Sequence, residues 1–432
     1  MGSWQLTPLD VKVFYGHPTS PIEGMDPPSG SFMRRRPQDE DQRALRFTKS
    51  LKPADSDLGI VLSGGGVRAA YQAGALKALM QFLEKDLNKT SVVIGSSIGA
   101  INGLVLSACL KHGISHSVST LEDLWRERNF NNTFSGSRAR AFLRALRIAA
   151  QQYVDPGPHS SNLAVFDPEP LRNRIDEQLA SHGGLSPEDR APSLKAVGVM
   201  TTLEGATRKP LAFISSHRQL SRDEMHGASF DVCYVSELTS KHGFASAALP
   251  SLLPPVEIDT GDGSVRLVDG GISQNIPVDP AVRLGAHRII VIDISGRTWW
   301  FDRYGEPHDT RPSWEVPAED DTFCLRPPET LTIKNSSALG PFLKHAVGNS
   351  RKRFADACGA LWPFFVLVKN KLGEDLAYEV MSYVALDPEY LNALLEVGYH
   401  DTMAVIQSRG HNLFVEEEEA VTQALSSQPV RA

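Results

Sequence analysis

Ser97 stands in Gly95-Ser96-Ser97-Ile98-Gly99, directly behind the apolar run Ser91-Val92-Val93-Ile94. A strand that ends in G-x-S-x-G and turns at once into a helix lifts one serine hydroxyl above the sheet edge. There it meets the positive end of the helix, which suits a nucleophile in acyl transfer. Upstream, the apolar segment Leu58-Gly59-Ile60-Val61-Leu62 runs into Ser63-Gly64-Gly65-Gly66-Val67-Arg68-Ala69. Adjacent glycines leave backbone N–H groups unobstructed and allow φ > 0, so successive amides can point at one anion. A loop of free amides beside a nucleophilic serine is what an oxyanion hole requires. A third block, Arg266-Leu267-Val268-Asp269-Gly270-Gly271-Ile272-Ser273-Gln274-Asn275-Ile276-Pro277, delivers an aspartate from a strand into a Gly-Gly turn. The turn exposes the carboxylate, and Asn275 and Pro277 fix the path of the departing chain.

Each block has a competing reading. Gly64-Gly65-Gly66-Val67-Arg68-Ala69 also fits G-x-G-x-x-G/A, but a dinucleotide site wants a carboxylate at the end of the second strand. Here Glu84 and Asp86 precede that strand, which ends in Gly95. No G-K-[ST] follows the glycines, so a P-loop is excluded. A D-G-G is usually a hairpin turn, as expected of the nearby Asp262-Gly263-Ser264. A Ser–His–acid triad on an α/β sheet expects its histidine after the acid. His287, His308, His345, His400 and His411 follow Asp269, yet none sits in a recognisable loop after a predicted strand.

Taken together, the blocks resemble the patatin-like phospholipase family, in its bacterial-type form: a G-G-G-x-R loop, a G-x-S-x-G elbow and a D-G-G block. Between the last two, Ala245-Ser246-Ala247-Ala248-Leu249-Pro250-Ser251-Leu252-Leu253-Pro254-Pro255 is similar to the family's small-residue helix ending in a Pro-Pro segment. The family loop usually has Gly where this chain has Ala69. The resemblance implies a dyad, with Ser97 as nucleophile and Asp269 as its base. It also implies an oxyanion hole at the Gly64, Gly65, Gly66, Val67 and Arg68 loop, above all the Gly65 and Gly66 amides. Gly95, Gly99, Gly270 and Gly271 shape the two turns. A carboxylate with a pKa near 4 is a weak base for a serine. Burial would raise that pKa, and proton transfer need only accompany attack. The implied reaction is hydrolysis of lipid or phospholipid acyl esters through an acyl-enzyme, needing no cofactor and no metal. Two alternatives remain open at this stage: an acyltransferase or transacylase using the same dyad, and a catalytically silent lipid-binding or scaffolding module.

The elements that must position these residues are strand–turn–helix units. Two of them, close in sequence, are expected to be neighbouring parallel strands opening on one carboxyl edge. Leu194–Met200, Pro210–Ile214 and Arg288–Ile294 read as further strands, the last nearly continuous in apolar residues as a buried parallel strand should be. The fold class expected is α/β: a three-layer sandwich with a central, mainly parallel sheet flanked by helices. Residues 1–55 read as an extended or disordered arm, 56–296 as the catalytic domain, 297–340 as an aromatic and acidic insert serving as lid or contact, and 341–432 as a C-terminal strand and helices flanking it. The strand expected there is Phe364-Phe365-Val366-Leu367-Val368. Segment 137–150, with arginines interleaved among apolar residues, reads as a helix on the sheet with its arginines in solvent, or as a membrane-surface helix.

Composition narrows the partners. Formal charge is −7 over 432 residues, which argues against nucleic acid. The four cysteines, Cys109, Cys233, Cys324 and Cys358, are scattered and read as reduced thiols, with Cys109 in the core. No zinc-type Cys/His spacing stands out. Neither a signal peptide nor a transmembrane run is evident, so the default is a cytoplasmic protein, with peripheral contact to the membranes that hold its substrate.

Overall fold

The computed structural model describes residues 57–136, 164–205, 207–261, 263–295, 328–348, 350–410 and 412–416, with positions 141, 143, 144 and 147. The arm, most of segment 137–150, the aromatic cluster Trp299–Tyr304 with Trp314, and the acidic tail lie outside the described residues.

The first strand, β1 (Leu58–Leu62), is wholly buried, as is β2 (Thr90–Ser96). Strands covered on both faces place apolar side chains on both, as in Ile60-Val61-Leu62 and Val92-Val93-Ile94, which is why these two show no alternation. They pair in parallel, Leu62 opposite Gly95. The helix α1 (Ala70–Leu87) returns the chain between them, and α2 (Ile98–Cys109) leaves β2 at Ser97. Two helices follow, α3 (Ile114–Arg126) and the short α4 (Phe130–Thr133), then α5 (Glu169–Ser181). β3 (Ala196–Leu203) joins β2 in parallel and turns back as β4 (Pro210–Ser216), which carries β5 (Asp231–Tyr234) at the edge. After α6 (Ser240–Ser246), the hairpin of β6 (Val256–Asp259) and β7 (Ser264–Val268) leans on the end of β3. Helix α6 thus ends before Ala247, earlier than the small-residue run suggests.

The other half of the sheet comes from later sequence. Helix α7 (Val278–Arg283) leads to β8 (Arg288–Asp293), parallel to β1, and β9 (Glu329–Lys334) is parallel to β8. The antiparallel β10 (Val415–Glu416) closes that edge. The ten-stranded sheet runs β10-β9-β8-β1-β2-β3-β4-β5, with β6 and β7 attached through β3. The expected three-layer, mainly parallel α/β architecture is what the chain forms.

Two expectations need correction. Residues 329–334, assigned above to the insert, are a strand inside the sheet, so the insert ends before them. Phe364–Val368 is not a strand: it lies in α10 (Trp362–Leu372), which follows α8 (Gly340–Val347) and α9 (Arg351–Cys358). A short, continuous apolar run does not distinguish the two periods. Here Pro363 occupies the first helical turn, and Phe365 and Val368, three apart, face inward while Phe364 and Leu367 are exposed.

The chain ends its helical layer with α11 (Glu374–Met381) and the long α12 (Pro388–Arg409). Helix α12 lies directly on α1, backbone against backbone. A Cβ on Gly74 would meet the Leu395 carbonyl oxygen at 1.9 Å, and one on Gly398 the Tyr71 carbonyl oxygen at 2.1 Å. No helix among the described residues is long and apolar enough to cross a membrane.

Candidate active site

The sheet register brings the three blocks together. Leu62 stands between Gly95 of β2 and Ile292 of β8, so the glycine loop and the serine turn leave the carboxyl edge side by side. Ser96 pairs with Met200 of β3, and two residues further along β3 Thr202 pairs with Val268 of β7. Asp269 therefore emerges beside Ser97.

Ser97 adopts φ 53° and ψ −133°, a region that L-residues avoid. The strain is held by local contacts: the Ser97 N–H donates to Ser246 Oγ at 2.8 Å, and Ser246 Oγ donates to the Met200 carbonyl. The Ser97 hydroxyl donates to Asp269 Oδ2 at 2.7 Å, and the other oxygen, Oδ1, accepts from the Gly271 N–H at 2.8 Å. Asp269 is itself pinned through its backbone, its N–H donating to the Ala248 carbonyl at 3.0 Å and its carbonyl accepting from Thr202 Oγ1 at 2.8 Å. Burial raises its pKa to about 6, outweighing the hydrogen bonds from Ser97 and Gly271 that favour the anion. A carboxylate poised there is a better proton acceptor than an exposed one.

The glycine loop divides into held and open amides. Gly64 N–H donates to Asn275 Oδ1 at 3.1 Å, and Asn275 Nδ2 returns to the Gly64 carbonyl at 3.4 Å. Val67 N–H donates to the Tyr383 carbonyl at 2.9 Å, and Arg68 falls inside the 3-10 turn Gly66–Ala69. The Gly64 and Val67 amides thus hold the loop in place, and the Arg68 amide lies within the turn. Only the Gly65 and Gly66 amides have no acceptor among the described residues. A Cβ on Gly64 would lie 2.7 Å from the Ser97 Cβ, which explains how closely loop and nucleophile approach.

The Arg68 side chain points away from the serine and is fully buried. Its Nε donates to Ser382 Oγ at 2.8 Å, its Nη2 to the Glu379 carbonyl at 2.9 Å and to Glu379 Oε1 at 2.5 Å. The guanidinium sits 3.7 Å from the Tyr383 ring centroid, and the Tyr383 hydroxyl donates to the Ser295 carbonyl. Under both loops runs a second polar chain: Trp125 Nε1 donates to Asn102 Oδ1, Asn102 Nδ2 to Gln72 Oε1, and Gln72 Nε2 to the Ser63 carbonyl. Sequence reading missed Gln72, Asn102, Ser246, Glu379, Ser382 and Tyr383. The only available signal was polar residues in otherwise apolar helices.

No histidine among the described residues contacts Ser97 or Asp269. His287 precedes β8, at the opposite edge of the sheet. His242 is buried in α6, where its Nδ1 accepts the Thr239 N–H and caps the helix, and burial lowers its pKa to about 4. The cleft bounded by Arg172, Phe244, Leu253 and Val256 is lined by none of the reacting groups.

The model of the patatin-like phospholipase family matches residues 60–282, more than half of the chain and inclusive of all three blocks. No curated protein matches the chain. Among solved structures it is similar to VipD from Legionella pneumophila, at 14% identity and TM-score 0.36, covering 85% of this chain and 73% of that one. Human GIVD cytosolic phospholipase A2 matches at 13% identity and TM-score 0.43, with 90% and 65% covered. The type III effector ExoU of Pseudomonas aeruginosa matches at 15% identity and TM-score 0.34, with 87% and 59% covered. The chain spans less than two thirds of the latter two.

Proposed function

This chain belongs to the patatin-like phospholipase family and is a lipid hydrolase of the serine hydrolase type; from that premise we propose that it cleaves carboxylic ester bonds of phospholipids or related lipids through Ser97 and Asp269. The observation that carries this is the 2.7 Å hydrogen bond from Ser97 to a buried Asp269 whose second oxygen is fixed by Gly271. In the reaction, Ser97 Oγ attacks the ester carbonyl as its proton passes to Asp269 Oδ2. The negative charge on the former carbonyl oxygen is met by the Gly65 and Gly66 amides and by the helix ends behind them. Collapse expels the alcohol, which takes the proton from Asp269, and leaves an acyl group on Ser97. Water then attacks the acyl-enzyme, giving its proton to Asp269, and the acid and free serine are restored. With no histidine beside Ser97 and Asp269 among the described residues, an alcohol leaving group suits the site.

Access to lipid is supported by α10, which exposes Phe364 and Leu367 with Lys369 and Lys371 on the next turn, an apolar face bordered by cations. The test is fluorophosphonate labelling with peptide mapping on wild type, Ser97→Ala and Asp269→Asn, with phospholipid vesicles present. Labelling at Ser97, lost in Ser97→Ala and slowed about 10²- to 10⁴-fold in Asp269→Asn, is expected. An unlabelled wild type, or full-rate labelling of Asp269→Asn, refutes the dyad.

A further inference from the structure

At the far end of α2 from Ser97, about 18 Å away by helical rise, a second group of reactive side chains meets that the hydrolase chemistry does not use. Cys109 closes α2, His112 lies in the turn after it, His116 is in the first turns of α3, and His182 caps the C-terminus of α5. One ligand atom each from Cys109, His116 and His182 lies within 4.8 Å of the other two. The His116 and His182 Nε2 atoms are 3.0 Å apart. The His112 ring stands beside both, with centroids 5.4 Å and 5.5 Å away.

The protonation pattern follows from the partners. His182 Nδ1 is 2.7 Å from the Gln178 carbonyl, which can only accept, so Nδ1 carries the proton and Nε2 presents its lone pair toward His116. A ring nitrogen fixed by a backbone carbonyl, with the other aimed into a cluster of donors, is how metal-binding imidazoles are oriented. Cys109 is buried. The thiol proton is one that a metal ion displaces.

We infer that Cys109, His116 and His182, with His112 on the open side, form a binding site for a zinc-class divalent cation that joins α2, α3 and α5. One sulfur and up to three imidazoles suit Zn²⁺ and disfavour Mg²⁺ and Ca²⁺, which take oxygen ligands. On binding, the Cys109 proton leaves to solvent and the His116 proton moves from Nε2 to Nδ1. The exposed histidines provide the path of entry. Three of these residues are close in sequence, but His182 lies 66 residues beyond His116 and only the packing of α5 brings it in.

The experiment is titration of the full chain, free of any histidine tag, with Zn²⁺ by calorimetry and with Co²⁺ by absorption. Expected are one equivalent of Zn²⁺, release of about one proton, and a Co²⁺ adduct with tetrahedral bands and a thiolate charge-transfer band. Cys109→Ser should remove the charge-transfer band, and His116→Gln, at an exposed position, should weaken Zn²⁺ by about tenfold or more. Both variants are checked for folding by circular dichroism; His182→Gln replaces any that fails. Absence of stoichiometric Zn²⁺ binding, or a Co²⁺ spectrum unchanged in Cys109→Ser, overturns the site and leaves a hydrogen-bonded histidine pair.

Discussion

The serine turn and the glycine loop sit side by side at one sheet edge, yet they are held in different ways. The turn is shaped by its neighbours: its strand and helix, the Ser246 hydroxyl, and Asp269 two strands away. The loop takes its form from afar. Gly66 lies at φ +60° against the Tyr383 carbonyl, and Arg68 plugs into a segment 314 residues downstream. The turn that carries Ser97 is a local device that a short motif encodes. The Gly65 and Gly66 amides are set in position by parts of the molecule that no motif mentions.

That contrast can be broken most sharply at Gly66. An alanine there would place its Cβ 2.1 Å from the Tyr383 carbonyl oxygen and in a backbone region that costs about 1–3 kcal/mol. The loop must shift, and kcat is expected to fall about 10²- to 10³-fold, as when an oxyanion donor is lost. Ester turnover measured beside the Ser97–Asp269 pH profile checks this: the profile should keep its shape while the rate drops.

Arg68→Met comes next. It leaves the Glu379 carboxylate with only the Gly340 amide, while the Ser382 hydroxyl keeps its bond to the Glu379 carbonyl. Breaking such a pair costs about 3–5 kcal/mol when fully buried, and Glu379 is 20% exposed, so the lower end is expected. Chemical denaturation measures the loss. A kcat reduced with KM unchanged marks Arg68 as a positioning residue, and Arg68→Lys should recover little because one ammonium does not reproduce the fork. Ser246→Ala provides the local counterpart at the turn. It strips the Ser97 N–H of its acceptor, with an expected loss of about 1–3 kcal/mol. Equal losses in kcat from Arg68→Met and Ser246→Ala would erase the distinction between the two regions.

The smallest effect is on stability and concerns Asp269. Its folded pKa, about 6, lies above the unfolded value near 4. Between those values the unfolded chain has released a proton that the fold still holds, so stability falls as pH rises through this window and stays lower above it. Activity runs the other way, rising through pH about 6 as the base becomes available. Asp269→Asn should therefore flatten the acid side of the stability profile and raise Tm slightly at neutral pH while removing turnover. A lower Tm in this variant would contradict the burial of an anion at this position.

Much of this was legible in residues whose chemistry is tied to a turn. Ser97, Asp269, Gly65 and Gly66 could be read because a strand, a tight turn and a helix dictate residue types over a short span. Phe364–Val368 could not, since a short apolar run fits a strand and a half-buried helix equally well until the exposure of Phe364 and Leu367 is known. Strand β9 was hidden by the aromatic and acidic segment before it, whose composition masked a return to the sheet. The partners of Arg68, and the meeting of His182 with Cys109 and His116, depend on packing between distant elements, which residue spacing does not report.

The dependence of the glycine loop on Glu379, Ser382 and Tyr383 has a consequence for how the molecule comes into being. A growing chain exposes Ser97 and Asp269 long before the segment that clamps Arg68 has been made. Until that segment arrives, the dyad can form without amides set to receive the negative charge. In chain order the residues proposed to do the chemistry precede the segment that orders the glycine loop, so a copy cut between them carries Ser97 and Asp269 without Glu379, Ser382 and Tyr383.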